Sequence, residues 1–388
     1  MMKMASFDAV DSGTVDADDA VDKTPVFSYS CDDFCWKLCA PGPCFTPQSA
    51  FERELHQKFA EAKKEKALNY ELNLVYKILP GEYNLVCQLN LERGQNRRKP
   101  QPNRSINQPF ESRRFNFTKL KPKEILLDLR CADSPVTEDA LDRHLLIVNA
   151  SPIEREHCLV VPCVQRCLNQ SLTEGALRLA VHLMLLSRSP NFHCLFNSLL
   201  ALASVNHLHL HTFYWPYIMH ITTLRPTHIQ GLLHVLRVPQ WIVHAFVFQL
   251  PDEAMFDAFI QSVLLTVRHL HDTGTPHNLM ICRAPSLSGP TADAMAQNVN
   301  GAGESTPTDK PLFVTTYIYP RKAAYGAKPP TNFNPAGFEL SGMLPIYTVK
   351  FFQSASEGSC LRIIEDEARI SDEKFEALLR DITRLLPE

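Results

Sequence analysis

Three histidines at every second position, His207, His209 and His211, sit in the run SVNHLHLH from Ser204 to His211. Side chains of an extended chain alternate faces, so the three imidazoles are expected as a row on one side. A core strand has little use for such a row, because each buried imidazole needs a hydrogen-bond partner. Two chemistries would explain it. Imidazole is a metal ligand, and three can hold a catalytic zinc. It is also a base or nucleophile near neutral pH, which suits reactions at phosphorus. No CxxC pair and no HExxH run accompanies the row to complete a familiar ligand set. Reaction at phosphorus is therefore the reading preferred here, with no metal and no cofactor.

The row needs a frame to hold it. Period-two alternation predicts strands within 70–79, 83–91, 125–129, 144–152, 157–162, 241–250, 278–284 and 312–320. Helical spacing predicts helices within 47–67, 173–186, 251–272 and 371–386. The first spaces Phe51, Leu55 and Phe59 four apart, with Ser49 as its N-cap; Ser171 or Thr173 would cap the second. Strands and long helices alternate in both halves of the chain. The expected fold class is α+β: antiparallel sheets with helices packed on one face, in two related halves whose element order is alike but whose sequences show no repeat. The divisions are an acidic tail at 1–25, a half at 26–230 carrying the histidine row, and a half at 231–388. Residues 285–310, rich in Gly, Ser, Thr and Ala, form a flexible insert in the second half.

Composition excludes several classes. A net charge of −3 over 388 residues gives no reason to expect nucleic acid or an acidic membrane as partner. No apolar run is long enough to span a bilayer, and the first residues lack the apolar core of a secretory signal. The twelve cysteines are then expected as reduced thiols in the cytoplasm. Four of them, Cys31, Cys35, Cys39 and Cys44, are clustered, and the first three would share one face of a helix. From Leu91 to Lys123 the chain is strongly basic and broken by prolines, which predicts a solvated surface loop. Within it, FNFTK (Phe115–Lys119) differs: Asn116 and Lys119 between and behind aromatics are suited to fixing a base or a phosphate oxygen.

Ser204 and Val205 complete a motif, Ser-Val-x-His-x-His-x-His, that resembles the histidine-triad nucleotide-binding proteins. The resemblance narrows with QPF before FNFTK, then SPIEREHCLVVP, FNSLLALASVNHLHLH, Pro276-His277-Asn278-Leu279, YPRKAAYG and FNPAGFELSG. In content and order these are similar to the GDP-hexose phosphorylases, a branch of the histidine-triad superfamily related to galactose-1-phosphate uridylyltransferase. The animal GDP-D-glucose phosphorylases, whose row also reads HLHLH, look most similar. The resemblance covers roughly residues 70–345. His211 departs from the transferase pattern, which ends in Gln, and Arg155-Glu156-His157 stand where the family often has Tyr-Gly-His.

The resemblance implies that the antiparallel sheets are histidine-triad-like. It also implies phosphorolysis of GDP-D-glucose to GDP and glucose 1-phosphate through a guanylyl-histidine, with the GDP-sugar and inorganic phosphate as partners. It makes His209 the nucleophile and His207 its orienting neighbour through a ring hydrogen bond. His211 and Ser204 become donors to phosphate oxygens. Asn197 and Asn206 are candidates for contacts to the phosphates or for a structural role. Arg321 and Lys322 would hold the β-phosphate or the incoming phosphate, or else be solvated. A homodimer is expected by analogy with the related transferases. Two other readings stay open: a histidine-triad hydrolase, and a non-catalytic nucleotide-binding protein.

Overall fold

The computed structural model describes residues 24–39, 49–97, 101, 103–133, 142–287, 310–325 and 332–387. The acidic tail as far as residue 23, Cys44, and residues 288–309 of the expected insert lie outside the described residues.

The first elements are β1 (Val26–Tyr29), β2 (Leu38–Cys39), α1 (Ala50–Lys64), β3 (Val75–Ile78), β4 (Val86–Leu89) and α2 (Leu91–Asn96). Next come β5 (Ile125–Cys131), β6 (Leu145–Val148), β7 (Cys158–Val161), α3 (Glu174–Leu186), β8 (Phe192–Asn197) and β9 (Leu210–Tyr214). The chain continues with β10 (Thr227–Gln230), β11 (Leu233–Leu236), β12 (Ala245–Gln249), α4 (Phe256–Asp272), β13 (His277–Pro285) and β14 (Pro311–Pro320). It closes with α5 (Gly337–Leu340), β15 (Met343–Ile346), α6 (Val349–Ser354), α7 (Glu357–Glu367) and α8 (Asp372–Leu385).

The long helices start where their capping residues stand. Ser49 Oγ accepts the Glu52 N–H at 3.1 Å, and the Glu52 carboxylate accepts the Ser49 N–H at 3.1 Å, a reciprocal capping box. Thr173, not Ser171, caps α3 by accepting from Ala176 N–H at 3.2 Å, and Ser371 caps α8.

One large sheet runs in the order β1-β5-β6-β7-β9-β8-β13-β14-β12-β11-β10, with β2 paired to β14. Among the described strands only β1 and β5 are parallel within it. The pairing of β8 with β13 joins the two halves of the chain. A second sheet, β15-β4-β3, stands apart. The expectation of helices on one face holds for α1, α3, α4 and α8, which bury Phe51, Leu177, Phe259 and Phe375 in one core with Leu279 and Ile281 of β13. The opposite face is also covered. Met280 and Cys282, alternating with those residues, pack with Val86, Leu344, Phe338 and Ile364 of the small sheet, α5 and α7. A strand apolar on both sides needs cover on both sides, and β13 is such a strand.

Three local expectations are corrected. The basic stretch from Leu91 begins with a helix, α2, because Asn90 Oδ1 caps it by accepting from Arg93 N–H at 3.0 Å. Cys31 lies in a 3-10 turn and Cys39 in β2, so the clustered cysteines share no helix face; Cys35 Sγ is spent on the Lys37 carbonyl. None of the eleven described cysteines is in a disulfide. Finally, regular pairing reaches only the last histidine of the row: His211 lies in β9, while His207 and His209 belong to the extended approach to it.

Gly337 sets how closely α5 rests on β8. A Cβ there would sit 2.3 Å from Leu195 Cδ1 and 3.1 Å from Asn197 Oδ1, and Leu195 is fully buried. Gly337→Val is therefore expected to lower stability by about 1–3 kcal/mol through overpacking, read as a lower denaturation midpoint in urea. A midpoint equal to wild type would mean that α5 is not held this tightly.

Candidate active site

The leucines between the histidines fix which way the row faces. Leu208 and Leu210 are buried in the helix-covered core, so the imidazoles project to the other side of the sheet. There His209 and His211 line a cavity with Asn197, Ser204, Phe117 and Leu159. The segment leading to the row is held in place on a strained turn. Leu200 and Leu202 have φ of 59° and 71°, the left-handed region that non-glycine residues seldom adopt. Ser198 Oγ accepts from His277 N–H at 3.0 Å, and Asn278 Nδ2 donates to the Ala201 carbonyl at 2.8 Å. The Pro276–Leu279 motif thus anchors the turn, a structural use of its histidine and asparagine. Gln170, silent in the sequence, clamps the chain at His209: its Oε1 accepts from His209 N–H at 2.9 Å and its Nε2 donates to His209 O at 3.0 Å.

Neutral imidazole has one N–H and one lone pair, and backbone partners decide which nitrogen has which. His209 Nδ1 lies 2.7 Å from the His207 carbonyl, which can only accept. The hydrogen of His209 is therefore on Nδ1, and Nε2 keeps its lone pair. The expected ring hydrogen bond from His207 is replaced by this main-chain one. His207's own ring is turned aside: its Nδ1 accepts from Phe117 N–H at 3.0 Å, between the rings of Phe110 and Phe117.

His211 is set by a longer chain. Ile153 N–H donates to His157 Nδ1 at 2.9 Å, so the single hydrogen of His157 is on Nε2. That Nε2 lies 2.8 Å from His211 Nδ1 and donates to it, so the Asn149 amide nitrogen 3.1 Å away makes no bond to the same atom. His211 is left with its hydrogen on Nε2, as a donor. Two imidazoles on one cavity are thereby given opposite roles, one a lone pair and one an N–H. Burial keeps both uncharged at neutral pH: it pushes His209 down to about 4, against the His207 carbonyl, and His211 and His157 well below the usual histidine range.

The other predicted site residues divide. Ser204 is exposed at the cavity, and Asn197, buried, also lines it; Asn197 Oδ1 accepts from Asn278 at 2.6 Å and Gly337 N–H at 3.3 Å. Asn206 is a strut: Nδ2 donates to Gln108 O and Pro109 O, and Oδ1 accepts from Gln170 N–H, each at 2.9 Å. Asn116 caps its own turn, accepting from Thr118 N–H at 3.0 Å, and Lys119 Nζ folds back on the carbonyls of Ser112, Arg113 and Arg114. The useful part of FNFTK is its aromatics, since Phe115 and Phe117 line the cavity. Arg321 is buried, donating to the carbonyls of Pro335, Lys322 and Glu367, and Lys322 Nζ reaches the Glu365 and Asp366 carbonyls at the end of α7. Neither lines the cavity. Among the described residues the cations that do are Arg93 and Arg97, from α2 and its end. Sequence reading left them in a solvated loop, because one Asn-capped turn gives almost no periodic signal.

Among the described residues no group of three His, Cys, Asp or Glu is placed to hold a metal ion. What the arrangement offers is a nucleophilic nitrogen, a neighbouring N–H donor, an aromatic wall and two guanidinium groups on one cavity. Such a site suits group transfer at a phosphate, and its frame has a known counterpart. The fold matches yeast Ap4A phosphorylase Apa2 in its complex with AMP, with a TM-score of 0.54 at 14% identity over 82% of this chain and 96% of that one.

The chain belongs to the GDPGP1-like family: the family's N-terminal domain matches residues 50–213 and its C-terminal domain residues 219–388. It is 43% identical to GDP-D-glucose phosphorylase 1 of Caenorhabditis elegans over 93% of this chain and 76% of that protein. Identity to human GDP-D-glucose phosphorylase 1 is 35%, over 85% and 83%. GDP-L-galactose phosphorylase 1 of Arabidopsis thaliana is more distant, at 27% over 77% and 65%.

Proposed function

We propose that this chain is a GDP-D-glucose phosphorylase that works through a guanylyl group on His209. The observation that carries the chemistry is the His209 tautomer, with Nδ1–H on the His207 carbonyl and Nε2 free at the cavity. The substrate follows from relatives of that name along nearly the whole chain.

His209 Nε2 attacks the α-phosphorus. The N–P bond forms as the bond from that phosphorus to the bridging oxygen breaks, and the electron pair leaves on glucose 1-phosphate. His211 Nε2–H and Ser204 donate to the oxygens on which charge builds. The His207 carbonyl cannot take the Nδ1 hydrogen, so the guanylylated ring stays cationic, which makes it a good leaving group. An oxygen of inorganic phosphate then attacks the same phosphorus, the N–P bond breaks, and GDP leaves with His209 restored. Two displacements through one nucleophile give ping-pong kinetics.

Incubation with GDP-D-glucose, with and without inorganic phosphate, tests the reading. Phosphate-dependent GDP and glucose 1-phosphate support it. GMP released without phosphate would make the protein a hydrolase, and no turnover would remove the substrate.

His157 acts as a positioning residue in this scheme. His157→Phe leaves the His211 tautomer unset and is expected to lower kcat about 10- to 100-fold, less than the roughly 10²–10³-fold of a donor removed outright. His157→Gln, whose Nε2 can donate to His211, recovers much of the loss. Equal activity of both variants would mean that His157 serves only packing.

The proposal extends to the setting of the enzyme. Eleven described cysteines outside any disulfide favour the cytoplasm, and no described helix is long and apolar enough to cross a membrane. Two halves, 26–230 and 231–388, are the proposed division; the separate matches to 50–213 and 219–388 favour two units, with the second starting before residue 230. A homodimer is the proposed assembly, with light scattering as its test.

A further inference from the structure

The mechanism leaves one corner of the cavity without a role. On one side of His209 the wall is apolar, built from Phe117, Leu159 and Val205. On the other, beyond His211, stand Arg93, Arg97, Tyr347 and Glu339. Arg93 is fixed by a bond from Nη1 to the Ser151 carbonyl and lies against the phenols of Tyr70 and Tyr347, yet its Nε is buried without a partner. Arg93, Glu339 and His211 line the same cavity, and the guanidinium is near enough to act on His157, His211 and Glu339. Arg97 stacks over the Tyr347 ring at 5.5 Å.

Glu339 is buried, and its Oε2 accepts from Ala336 N–H at 2.9 Å. A carboxylate has about four acceptor positions, so capacity is left toward the cavity. Among the described residues no salt bridge joins Glu339 to Arg93 or Arg97. Burial instead pushes its carboxyl up to about 7, against its own amide, the Ala336 amide and the nearby arginines Arg93 and Arg321. Guanidinium groups and a carboxyl that share a cavity without pairing call for a ligand presenting an anion to the first and hydroxyl groups to the second.

We propose that this corner is the sugar-phosphate subsite: Arg93 and Arg97 hold the phosphate borne by the hexose, and Glu339 accepts from hexose hydroxyls. The same arginines would then receive inorganic phosphate in the second displacement, since it attacks from where the first leaving group departed. This rests on the phosphorylase reading above.

The two displacements separate the roles. Exchange of labelled inorganic phosphate into GDP runs through the guanylyl-enzyme and needs no hexose, whereas phosphorolysis of GDP-D-glucose does. Glu339→Gln keeps the cap on Ala336 and loses the charge. It is expected to lower kcat/KM for GDP-D-glucose by about 10- to 100-fold, the worth of a charged hydrogen bond, and to lower exchange by a distinctly smaller factor. Arg97→Gln, at a half-buried site, should raise KM for phosphate in both assays with kcat little moved.

Equal losses of Glu339→Gln in the two assays, with a raised KM for GDP, would show that Glu339 reads the nucleotide and would overturn the assignment. So would an Arg97→Gln enzyme with the wild-type KM for phosphate. Wild-type protein inactive in both assays would remove the phosphorylase reading, and this proposal with it.

Discussion

His209→Ala is expected to abolish phosphorolysis of GDP-D-glucose, lowering kcat by at least about 10³-fold, with an unchanged circular dichroism spectrum. The size follows from what is lost. Among the described residues, alanine removes the one imidazole on the cavity whose backbone partner leaves a lone pair free to attack. Loss of His211 as a donor should cost less, about 10²–10³-fold, and His211→Gln less again, because an amide N–H can still reach the leaving oxygen. The order His209→Ala, His211→Ala, His211→Gln is therefore predicted for residual activity, from lowest to highest. His209→Ala activity within tenfold of wild type would contradict the nucleophile assignment.

The second large effect is on stability in acid. Burial holds His182, His207, His209 and His277 at about 4 and His193 at about 3. All five are almost fully buried. Above pH 6.5 these imidazoles are neutral in both the folded and the unfolded chain, and they cost nothing. Below 6.5 the unfolded chain takes protons that the folded chain refuses, so stability falls as pH drops toward 4. Between pH 7 and pH 5 each contributes a loss of about 2 kcal/mol. Five together approach the whole stability of an ordinary domain, about 5–15 kcal/mol. Unfolding near pH 5, followed by tryptophan fluorescence, is the expected result. His193 offers the internal control, since neither ring nitrogen has a partner. His193→Leu should move the acid midpoint downward, and a midpoint unchanged or raised would contradict the linkage.

Much of the fold was legible because its signals are local. Ser49, Thr173 and Ser371 each stand one residue before the helix they cap, and strands such as Leu145–Val148 and Cys158–Val161 lie inside their alternating or apolar runs. The facing of the histidine row was legible too, since Leu208 and Leu210 alternate with it. Less visible were features fixed by distant pairings. Phe192–Asn197 is wholly buried and shows no alternation to mark it as a strand. Asn206, Arg321 and Lys322 have residue types suited to phosphate, but their polar groups are consumed by main-chain partners brought near only by folding. Arg93 and Arg97 are the converse case, cations in a basic run that one short helix turns into the cavity. His157 is 54 residues from His211 in sequence, so the tautomer relay between them leaves no mark in either segment.

The most direct test of the account is intact-protein mass spectrometry after brief incubation with GDP-D-glucose in the absence of phosphate, followed by peptide mapping. One guanylyl group on the peptide containing His209, released as GDP when inorganic phosphate is added, is the predicted result. Release of glucose 1-phosphate with no guanylylated protein, or a guanylyl group on another residue, would contradict it.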